Sequence, residues 1–377
     1  MPIEPVAKSW EQICLLERTP PTPLSLPSQA PERERRSSSD KTTYPLITIG
    51  IPTRNRASLV KDCVDSALAQ SYRNIEVLVS DNASTDGTLA TLKSIDDERL
   101  RVLSNPEDIG HSKNFARCVQ EARGDYLVLA SDDNILDPAF LEKCVRLVRR
   151  EPGIPIVLAA YEILVIDEFS ENERRIVPAV TSKKLSTGIW EGTEILKEYL
   201  HGKMSAQLLS SIIRTDILRR NGFSMHPCAG DEATWIPALL EGRAGLVNER
   251  CATYLVHGSS HSSALSADSR FVDLCEVMEE ISAIAKHKIP DRARRLQIQG
   301  LTSRYVAHQA MITLVLYRRA GASLTEVVRK LWDWRPMLQR CTLRDFIAIL
   351  RLRSLGRILL PPRLVRWSIA LGLDRLL

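Results

Sequence analysis

The sequence has 377 residues, 44% hydrophobic and 26% charged, which is enough for two globular domains or for one large domain with an extension. Its formal net charge is only +5, from 51 basic and 46 acidic residues, and this argues against a nucleic-acid-binding protein. The eight cysteines occur singly, without the spacing of a zinc knuckle or a redox motif. We therefore expect them to be buried, reduced thiols.

Targeting and membrane signals are weak throughout the chain. The apolar run 13–16 is too short for a signal peptide. The more apolar stretch 305–317 is well below the roughly 20 residues that a transmembrane helix needs. The sequence therefore predicts a cytoplasmic protein, which would meet a membrane only peripherally, at the inner face of the plasma membrane.

The first 43 residues form a distinct compositional segment. They contain seven of the twenty prolines and end in a run of charged and serine residues. A segment of this kind buries too little apolar surface to offset the entropy lost on ordering. We predict a disordered leader over 1–43.

From Tyr44 onward, short apolar runs alternate with segments of helical periodicity, which predicts βαβ units and an α/β fold with a mostly parallel central sheet. After Glu151 the alternation loosens, and beyond about residue 266 the pattern is entirely helical. The predicted strands are 46–51, 75–79, 101–103, 126–130 and 156–160. The predicted helices are 59–70, 86–95, 112–122, 138–150, 193–200, 208–220, 272–287, 293–318, 324–332 and 343–355.

Polar clusters follow three of the predicted strands. Residues 52–56 follow the first strand, Asp81 and Asp86 follow the second, and Asp132 and Asp133 follow the strand 126–130. In an open parallel sheet, ligands bind outside the carboxyl ends of the strands. We therefore expect these clusters to meet at one edge of the sheet.

The adjacent pair Asp132 and Asp133 suggests a metal site. Two neighbouring carboxylates repel each other unless a cation lies between them, and Mg²⁺ or Mn²⁺ prefers carboxylate oxygens together with the phosphates of a nucleotide. This predicts a metal ion that bridges the protein to a diphosphate. The alternative is a turn before Pro138 in which an aspartate caps the following helix.

Five motifs in fixed order, between about 44 and 260, resemble the family 2 inverting glycosyltransferases of the GT-A fold. No single motif is specific, but their ordered series is. The resemblance implies a catalytic domain over 44–265 and a helical C-terminal region over 266–377. The motifs are PLITIGIPTRNR at 45–56, SALAQSY at 66–72, IEVLVSDNASTDGT at 75–88, DIGHSKN at 108–114 and GDYLVLASDDN at 124–134.

The resemblance also implies roles for individual residues. Asp81 would accept a hydrogen bond from the nucleotide base, most often uracil. Asp132 would face the ribose or the sugar, and Asp133 would bind Mn²⁺ or Mg²⁺ directly. The implied nucleotide-sugar-binding residues are Pro52, Thr53, Arg54, Asn55, Arg56, Asp81, Asn114 and Asp132.

Two later segments complete the implied site. The segment 230–236 resembles the family's base segment, with Asp231 as the catalytic base that takes the proton of the acceptor hydroxyl. The alternatives are that Asp231 only caps a helix, or that Glu232 is the base. His257 lies in a segment that returns toward the metal, where an imidazole can complete the coordination; a structural hydrogen-bonding role is the alternative.

The implied reaction moves one sugar, with inversion, from a nucleotide-sugar donor, most often UDP-linked, to a glycan or lipid-linked acceptor in bacterial surface-polysaccharide synthesis. Two departures from the family pattern bear on it. Only Asp81 remains of the usual acidic pair after the second strand, and the QxxRW signature of processive synthases is absent. The alternatives are a catalytically silent nucleotide-sugar-binding partner and a sugar nucleotidyltransferase, although residues 50–56 lack the glycine-rich loop of the latter.

The C-terminal tail carries the chain's positive excess. Residues 341–377 contain seven arginines and two aspartates among leucine, isoleucine and tryptophan. This composition suits the anionic headgroups of a membrane surface. The alternative is a helical segment packed on the protein with a solvated basic face.

Overall fold

The computed structural model describes residues 44–167, 173–226, 229–257, 267–319 and 321–341. The chain divides into two compact units. The described part of the larger unit runs from 44 to 226 and from 230 to 257, with the gap at 168–172, and that of the smaller unit comprises 229 and 267–341, with the gap at 320. The predicted leader 1–43 and the predicted helix 343–355, together with nearly all of the basic tail, lie outside the described residues.

Alternating strands and helices build the larger unit, as the sequence predicts. Ten strands of its described residues form one sheet. The strands are β1 Ile47–Thr53, β2 Ile75–Asp81, β3 Leu100–Ser104, β4 Tyr126–Leu129, β5 Ile135–Leu136, β6 Ile156–Asp167, β7 Glu173–Val177, β8 Gly188–Glu191, β9 Ser211–Arg214 and β10 Arg243–Val256. The helices are α1 Val60–Leu68, α2 Thr88–Lys93, α3 His111–Glu121, α4 Phe140–Arg150, α5 Gly192–Leu200, α6 Thr215–Asn221 and α7 Gly230–Leu239.

The sheet is mixed and largely parallel, which confirms the predicted fold class. Its strand order is β3-β2-β1-β4-β9-β6-β10-β5, with β7 beside β6 and β8 beside β10. The pairs β1–β2, β1–β4, β2–β3 and β6–β10 are parallel, and β9 runs antiparallel to both of its neighbours. The carboxyl ends of β1, β2, β4 and β10 therefore share one edge with the amino end of β9. We call this the carboxyl edge.

The core lies on both faces of the central strands. Every residue of β1 and β2 is buried, as expected for parallel strands that are covered by helices on both sides. The polar Thr48 within β1 donates its hydroxyl to Glu76 Oε2 at 2.8 Å. Among the described cysteines, those at 63, 118, 144, 251 and 275 are buried, as the sequence predicts for most of the cysteines.

The sequence prediction contains none of the strands β5, β7, β8, β9 and β10. The helix predicted over 208–220 is wrong: the chain forms a 3₁₀ turn at Leu208–Ser210, then β9, then α6. Ile212 and Ile213 lie fully buried between β4 and β6, and periodicity alone cannot tell such a short apolar run from a helix. The long strand β10 was not predicted, because the exposed Glu249 and Arg250 interrupt its apolar pattern at a register shift.

The smaller unit is helical in its described part, as predicted. Helices α8 (Ala267–Lys288) and α9 (Arg292–Arg319) pack together, and α10 (Leu324–Asp333) follows. Buried Trp334 donates its indole N–H to Asp268 Oδ1 at 2.8 Å and packs against Phe271. In the described residues, no helix combines the length and the apolar character needed to cross a membrane.

Gly124 stands where the chain enters β4 and is closely surrounded by backbone. Its N–H donates to Thr48 Oγ1 at 2.8 Å, and its carbonyl accepts from Thr215 Oγ1 at 2.7 Å. A Cβ atom here would lie 2.5 Å from the amide nitrogen of Thr48 and 2.7 Å from the carbonyl oxygen of Tyr126. Only glycine fits without a backbone shift.

We predict that Gly124→Ala lowers the free energy of unfolding by about 2–3 kcal/mol, since the new methyl group must displace backbone atoms. The matched control is Gly87→Ala, whose Cβ would make an ordinary contact of 3.6 Å with Ala57. Urea unfolding of both variants measures the difference. Equal stability of the two variants would contradict the packing described for β4.

Candidate active site

The end of β1 is tied to the end of β4. Pro52 is buried within β1, in register with Ser80 of β2. The next residue, Thr53, donates its hydroxyl to Asp132 Oδ2 at 2.6 Å. Arg56 Nε lies 3.6 Å from Asp132 Oδ1. The predicted residues 52–56 and Asp132 therefore lie together at the carboxyl edge.

The loop after β1 is fastened to the loop after β2. Asn55 adopts a left-handed backbone with φ of 53°, a conformation that asparagine tolerates better than most residues. Its N–H donates to Ser84 Oγ at 2.9 Å, and its side-chain oxygen accepts from the N–H of Thr85 at 2.9 Å. Arg54 forms an ion pair with Asp108. These contacts fasten the loop after β1 to the loops after β2 and β3.

Asp81 is the last residue of β2. It is 1% exposed. Its Oδ2 atom accepts from the N–H of Ser84 at 3.3 Å and, weakly, from Ser104 Oγ at 3.5 Å. Its Oδ1 atom is buried without a hydrogen-bond partner. A buried carboxylate oxygen without a partner is costly, so this atom is a natural acceptor for a ligand donor.

Asn114 lies close to the ends of β1 and β2, but its amide is fully used by the protein. Its oxygen accepts from Ser80 Oγ at 2.7 Å and from Asn105 Nδ2 at 3.1 Å. Its nitrogen donates to the carbonyl oxygen of Ser80 at 2.8 Å and to that of Thr53 at 3.5 Å. An amide has no further hydrogen-bonding capacity. We therefore revise the predicted contact with the nucleotide sugar to a supporting role, in which Asn114 joins α3 to the ends of β1 and β2.

Asp132 and Asp133 occupy the turn after β4. Burial raises the pKa of Asp132 to about 6; the hydrogen bond from Thr53 opposes this shift and the charge of Asp133 adds to it. Asp133 is 9% exposed, and its Oδ2 atom lies 3.2 Å from His257 Nε2. Its Oδ1 atom is buried without a partner. The structure thus places Asp133 and His257, the two residues that the sequence predicts as metal ligands, in direct contact.

The pairing of β10 explains how His257 reaches Asp133. His257 follows β10 directly, and β10 runs parallel to β6 with its carboxyl end at the carboxyl edge. Sequence reasoning missed Asn134, which strengthens this connection by accepting the N–H of Leu255 at 3.3 Å. Below the turn, the buried Cys63 donates its thiol to the carbonyl oxygen of Ser131 at 3.3 Å.

The donor set around Asp133 fits a first-row divalent cation. It offers a buried carboxylate oxygen without a protein partner and an imidazole nitrogen directly beside the carboxylate. Oxygen and imidazole ligands both suit Mn²⁺, and carboxylate oxygen suits Mg²⁺. Both donor types are among those that the predicted cofactor takes.

Asp231 lies in the first turn of α7 and also belongs to the carboxyl edge. It accepts a hydrogen bond from the N–H of Leu208, and the turn at Leu208–Ser210 leads into the amino end of β9. As a residue Asp231 is partly exposed, but its carboxyl group is densely surrounded by protein. Burial raises the pKa of Asp231 to about 7, and the neighbouring charge of Glu232 contributes to the shift.

This raised pKa makes a prediction about stability. Between pH 4 and 7 the folded protein holds a proton on Asp231 that the unfolded chain, in which an aspartate has its ordinary pKa of 3.8, has lost. The stabilisation from this proton is present at low pH and disappears as pH rises through about 7. Asp231→Asn, which cannot ionise, should therefore be more stable than wild type at pH 8 by on the order of 2 kcal/mol and nearly equal to it at pH 4.

Unfolding curves of both proteins between pH 4 and 8 provide the measurement. Asp86→Asn is the control of opposite sign. The hydrogen bond from Thr88 lowers the pKa of Asp86, so removal of the Asp86 carboxylate should destabilise the folded protein at neutral pH. If Asp231→Asn tracks wild type at every pH, the carboxyl of Asp231 is not desolvated.

Comparison with known proteins agrees with this geometry. Residues 48–190 match the sequence profile of glycosyl transferase family 2. Over these residues the chain is similar to this family. It is 30% identical over 139 residues to the glycosyltransferase EpsE of Bacillus subtilis, which covers 36% of this chain and 49% of EpsE. It is 24% identical over 230 residues to an uncharacterised glycosyltransferase of Haemophilus influenzae, which covers 58% of this chain and 68% of that protein. The chain thus spans about half the length of EpsE.

Solved structures show the same fold. The complex of S. aureus TarS 1-349 with UDP-GlcNAc superposes with a TM-score of 0.62 at 17% identity, over 83% of this chain and 86% of that one. The UDP complex of TarS 1-349 superposes with a TM-score of 0.59 at 15% identity, over 86% and 91% of the two chains. At this level of identity the likeness concerns the fold alone, and it confirms the predicted GT-A fold.

Proposed function

We propose that the protein is an inverting glycosyltransferase that moves one sugar from a nucleotide-sugar donor to a hydroxyl group of an acceptor. The observation that carries this proposal is the set of carboxylates at the carboxyl edge. Asp81 and Asp133 each keep a buried oxygen without a partner, and Asp231 joins the same edge with a pKa near neutrality. These are the groups needed to bind a donor, to hold a cation and to take a proton.

The donor would lie against the loops after β1 and β2. The free oxygen of Asp81 would accept a hydrogen bond from the base, while residues 52–56 and Asp132 would line the ribose and diphosphate. We propose a UDP-linked donor, and the TarS complexes with UDP and UDP-GlcNAc support this choice. The absence of a QxxRW motif from the sequence supports transfer of a single sugar.

Asp133 and His257 would hold Mn²⁺ or Mg²⁺. When bound, such an ion supplies charge stabilisation for the leaving diphosphate. The oxygen of Asp133 without a partner and the adjacent imidazole support this assignment.

Asp231 would act as the base. The O–H bond of the acceptor breaks as its proton passes to the Asp231 carboxylate, and the freed electron pair of the oxygen forms a bond to the anomeric carbon. The bond from that carbon to the diphosphate oxygen breaks on the opposite face, and its electron pair leaves with the diphosphate, so the configuration inverts. A base with a pKa near the working pH is the most effective for this transfer.

For the acceptor we propose a glycan or a lipid-linked saccharide of surface-polysaccharide synthesis. A lipid-linked acceptor would lie at a membrane surface, and the arginine-rich composition of residues 341–377 is suited to peripheral contact with anionic lipids. Contact through the tail stays a prediction, because nearly all of these residues lie outside the described part of the chain.

We predict that UDP binding depends on the metal and that Asp133→Ala abolishes this dependence, because the variant loses the carboxylate that would hold the ion. Titration calorimetry of UDP with Mn²⁺ and with EDTA measures the effect. Wild type should bind roughly tenfold or more tightly with Mn²⁺, and the variant should bind with equal affinity in both conditions.

The matched control is Asp137→Asn, a nearby acid that pairs with Arg250 at 3.3 Å. This variant should keep the metal dependence of wild type. Metal-independent binding by wild type would remove the metal assignment.

We predict that Asp231→Asn lowers kcat by on the order of 10²-fold or more and leaves UDP affinity unchanged, as expected for the loss of a general base. Asparagine caps a helix about as well as aspartate, so the start of α7 is preserved. UDP release from UDP-GlcNAc and calorimetry with UDP give the two readouts. A variant with normal turnover would show that Asp231 is not the base.

A further inference from the structure

The first turn of α7 carries two adjacent carboxylates, and the structure treats them differently. Asp231 accepts the N–H of Leu208. Glu232 Oε1 instead accepts the hydroxyl of Tyr199 at 2.8 Å. The two acids therefore face different elements, the turn before β9 and helix α5.

Tyr199 is held in a fixed orientation by its packing. It is 8% exposed, and its ring meets that of Trp235 edge-on, with a centroid distance of 4.9 Å and an interplanar angle of 89°. Trp235 is fully buried one turn after Asp231 and Glu232. The packing of the ring places the Tyr199 hydroxyl against the Glu232 carboxylate.

The other acids on α5 are engaged elsewhere. Glu198 accepts the hydroxyl of Ser182 at 2.9 Å, and Glu194 accepts Lys197 Nζ at 2.5 Å. Among the described residues, Glu232 is the charged group that acts on Asp231, and the turn before β9 contributes the Leu208 N–H.

We propose that Tyr199 and Glu232 are positioning residues for the base: the Tyr199 hydroxyl holds the Glu232 carboxylate beside Asp231, so that the acceptor's proton goes to Asp231. A hydrogen bond donated to a carboxylate favours its ionised form, and an ionised neighbour makes a carboxylate a stronger proton acceptor. Two adjacent acids whose surroundings push their pKa values apart take different roles in proton transfer. This inference rests on the proposed function of Asp231.

The first test needs no substrate. The difference in the free energy of unfolding between Asp231→Asn and wild type, measured from pH 4 to 9, changes as Asp231 ionises. The midpoint of this change reports the pKa of Asp231. The same difference measured between Asp231→Asn/Glu232→Gln and Glu232→Gln gives that pKa without the neighbouring charge. We expect its midpoint to fall by roughly 0.5–1 pH unit, the shift that one unit charge a few ångströms away produces. An unchanged midpoint would overturn the inference.

Tyr199→Phe tests the hydrogen bond. This variant should shift the midpoint for Asp231 in the protein that has Glu232. In the Glu232→Gln background it should leave the midpoint unchanged, because the two positions act as a unit. Equal effects in both backgrounds would show that Tyr199 contributes packing only. Glu194→Gln is the matched control on α5, where the acid pairs with lysine and should leave the midpoint unchanged.

Turnover of UDP-GlcNAc separates this inference from the proposed function. Glu232→Gln should retain activity within roughly tenfold of wild type, with the acid limb of its pH profile moved to lower pH, whereas Asp231→Asn loses activity. If Asp231→Asn is inactive and Glu232→Gln keeps the wild-type limb, only the positioning role fails. If Glu232→Gln is inactive and Asp231→Asn is active, Glu232 is the base and both proposals fail.

Discussion

Negative charge gathered at one buried edge of a sheet is the constraint on which the rest of this structure depends. Asp81, Asp132 and Asp133 are each at most 9% exposed, and such groups lose the hydration that favours their ionised form. The protein compensates for only part of this cost, through Thr53 and Arg56 beside Asp132, the N–H of Ser84 on Asp81 and the imidazole of His257 beside Asp133. A cluster that is left under-compensated is stable only while the surrounding fold holds it in place, and a cationic or hydrogen-bonding ligand would relieve it.

The direction of the strands keeps these carboxylates together at the carboxyl edge. Parallel pairing of β1 with β2 and β4 delivers three chain segments to one edge, which is where ligands bind in open α/β sheets. The antiparallel strand β9 has its amino end at the same edge. The turn before it brings the N–H of Leu208 to Asp231. The strand β10, parallel to β6, then brings His257 to Asp133.

The sequence predicted the features that depend on local pattern. The strand ends at Asp81 and Asp133 follow from short apolar runs bounded by polar residues, and parallel topology is enough to place them together. The position of His257 was suggested by family resemblance, but its contact with Asp133 depends on β10, which the sequence pattern did not reveal. The helix expected over 208–220 was wrong because the apolar run that becomes β9 is too short to define its period.

Other features required coordinates. Tyr199 and Glu232 are 33 residues apart, and nothing in the local sequence of either indicates that they meet. Asn114 belongs to a motif of the family, and only coordinates show that the hydrogen bonds of its amide are used within the protein. Side-chain contacts between distant segments follow from packing, which no single sequence window encodes.

We propose above all that the carboxyl edge binds a nucleotide diphosphate and a divalent cation together. The most direct measurement is the melting temperature of the wild-type protein with UDP alone, Mn²⁺ alone and both, since a ligand that binds the folded state raises the midpoint by mass action. We predict that the combination raises the melting temperature by more than the sum of the two separate shifts. Shifts that are merely additive, or no shift with both ligands at saturating concentration, would contradict the account.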